Sequence, residues 1–132
     1  MIINELNGEV INTRDVYIHD DILLELKFDR IKRNLTLNFQ NYANDFTYVI
    51  EFLNVIGFEM TSCDFWGASE CALGFEYVPK DERVLVPKLQ EEWTNLPNSL
   101  DIPSYEDSIE TLLTFGSGDR LRIACETINF LK

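Results

Sequence analysis

This chain has one histidine, His19, and three cysteines, Cys63, Cys71 and Cys125, none at the close spacing of a metal-binding pair. So sparse and odd a thiol set argues against a disulfide framework, and buried reduced thiols are the expectation. No apolar run approaches the roughly 20 residues that cross a bilayer. The start, MIINELNGEV, has neither a basic leader nor a hydrophobic signal core. A cytoplasmic protein without membrane contact is therefore expected. A phosphate cradle is missing too, since Gly116-Ser117-Gly118-Asp119 lacks a lysine and a strand-to-helix setting. Nothing in the sequence calls for a cofactor.

Bases are the scarcest class relative to their opposites. Eleven Lys and Arg face 23 Asp and Glu, a formal net charge of −12. Between Arg33 and Lys80 there is no base, but there are Asp45, Glu51, Glu59, Asp64, Glu70 and Glu76; between Lys88 and Arg120 the same gap holds Glu91, Glu92, Asp101, Glu106, Asp107, Glu110 and Asp119. A field of this sign repels nucleic acid and attracts basic proteins or metal ions. The one basic cluster, Arg30, Lys32 and Arg33, sits at a turn with nothing to extend it, so nucleic-acid binding is not expected.

What is present is core. At 132 residues, 45% hydrophobic and 12% aromatic, the chain suits one domain. Its most continuous apolar stretch runs from Phe46 to Met60. There Tyr48, Ile50 and Phe52 alternate with Val49, Glu51 and Leu53, which predicts a central strand covered on both faces, with a bulge or bend at Gly57. Ile22, Leu24, Leu26 and Phe28, then Leu35, Leu37 and Phe39, alternate with polar residues as an antiparallel hairpin over residues 21–41 requires. A further strand is expected over Cys71 to Tyr77, and a brief pairing over Val84 to Val86. Residues 109–116 and 120–130 read as a second hairpin across the Gly116–Asp119 turn, with a phase slip near Glu126 or Thr127. One helix is predicted, with Pro87 at its first position, Leu89, Trp93 and Leu96 along one face and Pro97 at its end. The fold class is α+β: a mainly antiparallel sheet of about six strands with one covering helix.

Two sets of residues stand out as candidate sites. In the loop between two strands, Phe65 and Trp66 are flanked by Asp64 and Glu70. Aromatic anchors with acids around them fit a basic protein partner, while burial of both rings in the core is the competing reading. His19 with Asp20 and Asp21 is the only grouping that offers a metal ligand or an oriented base, which makes a small enzyme or metal-dependent binder the alternative. Neighbours along a strand point to opposite faces, so at most two of the three can converge. The adjacent carboxylates Asp20-Asp21 and Glu91-Glu92 are poorly placed to face one another across a substrate.

His19-Asp20 leading into an alternating strand, the Asp64-Phe65-Trp66-Gly67 loop and the ending Gly116 to Cys125 resemble the layout of small bacterial immunity-type and uncharacterised domains associated with polymorphic toxin systems. The resemblance covers the order of elements over most of the chain and transfers no residue's role. It implies a non-enzymatic cytoplasmic inhibitor that binds a toxin domain.

Overall fold

In a computed structural model of the chain, which describes residues 1–61, 71–95 and 106–132, the two alternating runs form the expected hairpin. Strand β1 (Ile2–Ile3) precedes it; β2 (Ile22–Asp29) and β3 (Asn34–Gln40) pair antiparallel from Ile22 opposite Gln40 to Asp29 opposite Asn34, but the register shifts between Leu23 and Glu25, so that Leu23 is buried and Leu24, expected on the inner face, is exposed. Asp29 closes their turn, its Oδ1 accepting the backbone N–H groups of Ile31 and Lys32, both at 3.0 Å. The Lys32 bond above all holds the Asp29 carboxyl below its ordinary range. Arg33 then adopts the left-handed region (φ 57°) and turns its guanidinium onto the next strand, donating to the carbonyls of Val55 at 2.8 Å and Ile56 at 3.1 Å. The basic cluster seen in the sequence is thereby reduced, because Arg33 closes an exposed strand edge.

Strand β4 (Thr47–Met60) is central, with β3 on one side and β7 (Arg120–Phe130) on the other. Tyr48, Ile50 and Phe52 are buried, but Val49, Glu51 and Leu53 are only partly so, and the expectation of full cover on both faces is corrected. The register of β4 against β7 shifts between Val55 and Gly57. Gly57 also lets the helix approach, for a Cβ there would lie 2.7 Å from Leu89 Cδ1. The predicted slip in β7 is shared. Phe52 and Val55 both face the core in β4, as Cys125 and Ile128 do in β7, and the residues between them, Asn54 (φ 52°) and Glu126, bond side chain to side chain at 3.0 Å.

With β5 (Ala72–Tyr77) and β6 (Ile109–Phe115) the sheet runs β2-β3-β4-β7-β6-β5, while β1 pairs with the far end of β7, Ile3 opposite Ile128. Among the described residues there are thus seven strands rather than six, in an α+β fold. The additional strand has two residues, too few to show any period. The sheet rolls until its edges touch: Ile22 bridges Cys71, the Asp20 N–H donates to Ala72 O, and the Ala72 N–H donates to Asp21 O, both at 2.8 Å. The core lies inside the roll, where Phe39, Phe52, Leu37, Ile50, Leu113 and Ile123 are fully buried. Each such side chain contributes about 1.5–3 kcal/mol. Cys125 is among them, and burial pushes its thiol up, so it stays protonated and unreactive. Cys71 is half-buried at the seam, and Cys63 lies outside the described residues.

The helix, α1 (Leu85–Thr94), begins two residues before Pro87, so Val84 to Val86 is a helix start and not a strand. Leu85, Val86, Leu89 and Trp93 pack on Ile56 and Ala124 of the sheet's outer face, Trp93 only partly buried. Leu96 and Pro97 lie outside the described residues. No described helix is long and apolar enough to cross a membrane.

One interior position is at odds with its surroundings. Thr111 alternates inward with Ile109, Leu113 and Phe115, and its buried hydroxyl has no hydrogen-bond partner among the described residues. A buried hydroxyl without a partner costs about 1–3 kcal/mol. Thr111→Val, nearly the same shape, should raise stability by about 1 kcal/mol. The urea midpoint measures this, and a lowered midpoint would reveal a bond that the hydroxyl does make.

Candidate functional site

Of the residues nominated from sequence, the described ones, His19, Asp20 and Asp21, do not converge on one centre. Asp64, Phe65, Trp66 and Glu70 lie outside the described residues. His19 and Asp20 form a half-exposed pair, Nδ1 to carboxylate 3.1 Å. Asp21 turns the other way, into the protein, where it accepts from Tyr48 Oη at 2.5 Å, Tyr42 N at 3.0 Å and Asn41 Nδ2 at 3.3 Å, and pairs with Lys132 Nζ at 2.8 Å. Burial and the Asp21 carboxylate together push the Tyr48 hydroxyl up. No group of three or more His, Cys, Asp and Glu suited to a metal ion occurs among the described residues.

Acidic side chains converge elsewhere. Along its outer edge β7 pairs with β6 as far as Cys125 and with β1 from Ile128 onward. Between those two partners a cleft of about 460 Å³ opens, lined by Glu5, Glu106, Asp107 and Glu126, with Lys80 as its cation and Leu6 at its lip. One wall is rigid. Glu5 accepts from Arg83 Nη2 at 2.5 Å and Tyr77 Oη at 2.9 Å, and the largely buried Arg83 also donates to Ser108 O at 2.8 Å and Val78 O at 3.2 Å. Burial, then the bond to Glu5, pushes the Tyr77 hydroxyl up. Gly8 admits the Tyr77 ring, since a Cβ there would lie 2.5 Å from it. Glu126 holds Asn54, while Glu106 and Asp107 stand exposed at the mouth.

Among the described residues, four carboxylates against one ammonium leave the cleft negative after Glu5 is offset by Arg83. Such a concavity concentrates cations and receives an Arg or Lys side chain by charge-assisted hydrogen bonds. Glu106 and Asp107 belong to a base-free segment visible in the sequence. Glu5 and Glu126 give no such signal: they become neighbours only through the pairing of Ile3 with Ile128. Three other acids of the base-free segments add little to a surface field, because Glu110 and Asp119 are buried and Glu59 is paired with Lys88.

No protein-family model matches this sequence, and no curated protein or solved structure matches it.

Proposed function

We propose that this protein is a non-enzymatic binding module that takes a basic protein partner at the acidic cleft between β1 and β6, and that it acts in the cytoplasm as an immunity protein neutralising a toxin domain. The observation that carries the reading is the lining of the cleft, which among the described residues sets Glu5, Glu106, Asp107 and Glu126 against Lys80, with Arg83 engaged by Glu5. The net charge of −12 extends the same attraction beyond contact range. It also disfavours nucleic acid, whose phosphates need cations. The layout of elements that resembles immunity-type domains supports the narrower assignment.

Glu106 and Asp107 are exposed, so replacing both by lysine reverses the charge of the mouth without disturbing the core. Against a purified basic partner the double variant should associate about tenfold more slowly, at the low end of what steering supplies. The wild-type rate should fall as salt rises past about 0.1 M, where the Debye length is about 10 Å. Stopped-flow association at several salt concentrations tests this. An unchanged rate with no salt dependence would remove the cleft from the mechanism.

A further inference from the structure

The pole of the roll that holds Asp21 carries a second surface. Three elements meet there: the segment entering β2, the β3–β4 turn and the end of β7. Tyr17, Tyr42 and Phe46 stand 58%, 71% and 43% exposed, an amount of aromatic surface that marks interaction sites when it is grouped. The segments that carry the three rings are tied together through one buried carboxylate. Asp21 accepts the Tyr42 backbone N–H at 3.0 Å, and Lys132, its ion-pair partner, donates to the Tyr17 carbonyl. Phe46 lies 6.1 Å from Tyr48, whose hydroxyl donates to the same Asp21. The backbone beneath the rings is thus fixed, so little of the main chain needs ordering on binding.

Charge selects the occupant. The Lys132 ammonium already sits 5.0 Å from the Tyr48 ring centroid and 5.9 Å from that of Tyr17, so the rings of this pole do accept a cation. That ammonium is held inward by Asp21. Around the exposed rings stand the carboxylates of Asp20, beside the His19 ring that stacks on Tyr17 at 6.2 Å, and of Asp45, next to Phe46 and bonded to Gln40. A second copy of the chain would bring the same acids against them. We propose that the Tyr17, Tyr42 and Phe46 surface docks an arginine-bearing segment of a protein partner, the guanidinium planes stacking on the rings and bonding to Asp20 and Asp45. This surface is separate from the acidic cleft and does not depend on it.

The test is a titration with acetyl-tetraarginine amide, with acetyl-tetraglutamate amide as the control, followed by NMR. The arginine peptide should shift the ring resonances of Tyr17, Tyr42 and Phe46, and it should do so equally in the cleft variant carrying Glu106→Lys and Asp107→Lys. Tyr42→Ser should weaken the peptide at least fivefold, and a second variant with Phe46→Ser added should weaken it further, with thermal melts reporting the fold of each. Unmoved rings, equal shifts with the glutamate peptide, or full binding by folded Tyr42→Ser would overturn the proposal. So would loss of the shifts in the cleft variant. Self-association that Tyr42→Ser abolishes would give the pole to a second copy and overturn it as well.

Discussion

Replacing Glu110 by alanine should lower the free energy of unfolding by about 3–5 kcal/mol, the range for breaking a buried ion pair by removing one partner, and should release α1 from the sheet. The Glu110 side chain is fully buried on β6, facing the helix side of the sheet. Its carboxylate accepts the backbone N–H of Val84 at 3.0 Å and of Val86 at 2.8 Å, and it pairs with Arg122 Nη1 at 3.2 Å. Helices begin with N–H groups that lack partners, a need met by a side chain at the N-cap. Here the N-cap is Val84, which has nothing to offer, and Pro87 in the first turn has no N–H. The cap comes instead from another strand, and a negative charge there also suits the helix dipole. Glu110→Gln keeps an acceptor and loses the charge, so its cost should be smaller. Urea unfolding followed by circular dichroism measures both, and a Glu110→Ala cost below about 1 kcal/mol, the net value of a single ordinary hydrogen bond, would show that the helix is seated by packing alone.

Asp21→Ala should be comparably damaging, about 3–5 kcal/mol, because it leaves Lys132 and Tyr48 without their shared partner inside the protein. Asp21→Asn should fall between, retaining an acceptor for Tyr48 but no charge for the ammonium. A pH dependence accompanies this cluster. The folded state holds the Tyr48 hydroxyl above its ordinary value of 10.0, so the unfolded chain ionises first. The stability from Tyr48 is complete below about pH 10 and is lost as pH rises beyond it. Tyr48→Phe should reduce that alkaline slope, leaving the share that the raised Tyr77 hydroxyl supplies, and an unchanged slope between about pH 9 and 11 would show that Tyr48 does not contribute to it.

Much of the sheet was readable because period-2 alternation is a local signal. Residues 35–39 and 48–52 declare their inward faces one by one, and the Gly116–Asp119 turn declares a hairpin; over residues 22–28 the alternation gives the strand but not the face of Leu24, because a bulge turns Leu23 inward instead. Two residues at Ile2–Ile3 declare nothing, which is why the seventh strand is invisible before its partner is known. The helix start was misplaced for a different reason. Sequence rules look for a cap beside the helix, and the cap of α1 lies 26 residues downstream of Val84. The cleft shows the same limit. Glu106 and Asp107 stand in a stretch without bases, but no local pattern announces that Glu5 and Glu126 share a wall. The reverse error also occurred, since Glu110 and Asp119 were counted toward an outer field and are internal. Charge totals carry no information about which charges are buried.

The position of β7 in the sheet has a bearing on how the protein is made. It lies between β4 and β6 and also receives β1, yet it follows all of them in the chain. During synthesis, at about 5–20 residues per second, the β2-β3-β4 meander can pair as it emerges and β6 can join β5, while β1 has no neighbour to join and the edges of β4 and β6 that will meet β7 stay open. For roughly ten seconds at those speeds the growing chain displays apolar surface that only its last stretch can cover. Residues such as Ile3 and Ile128 are far apart in that timetable, and their contact is among the slow, long-range kind. The abundance of carboxylates has a second use in that interval, since like charges keep half-made chains apart.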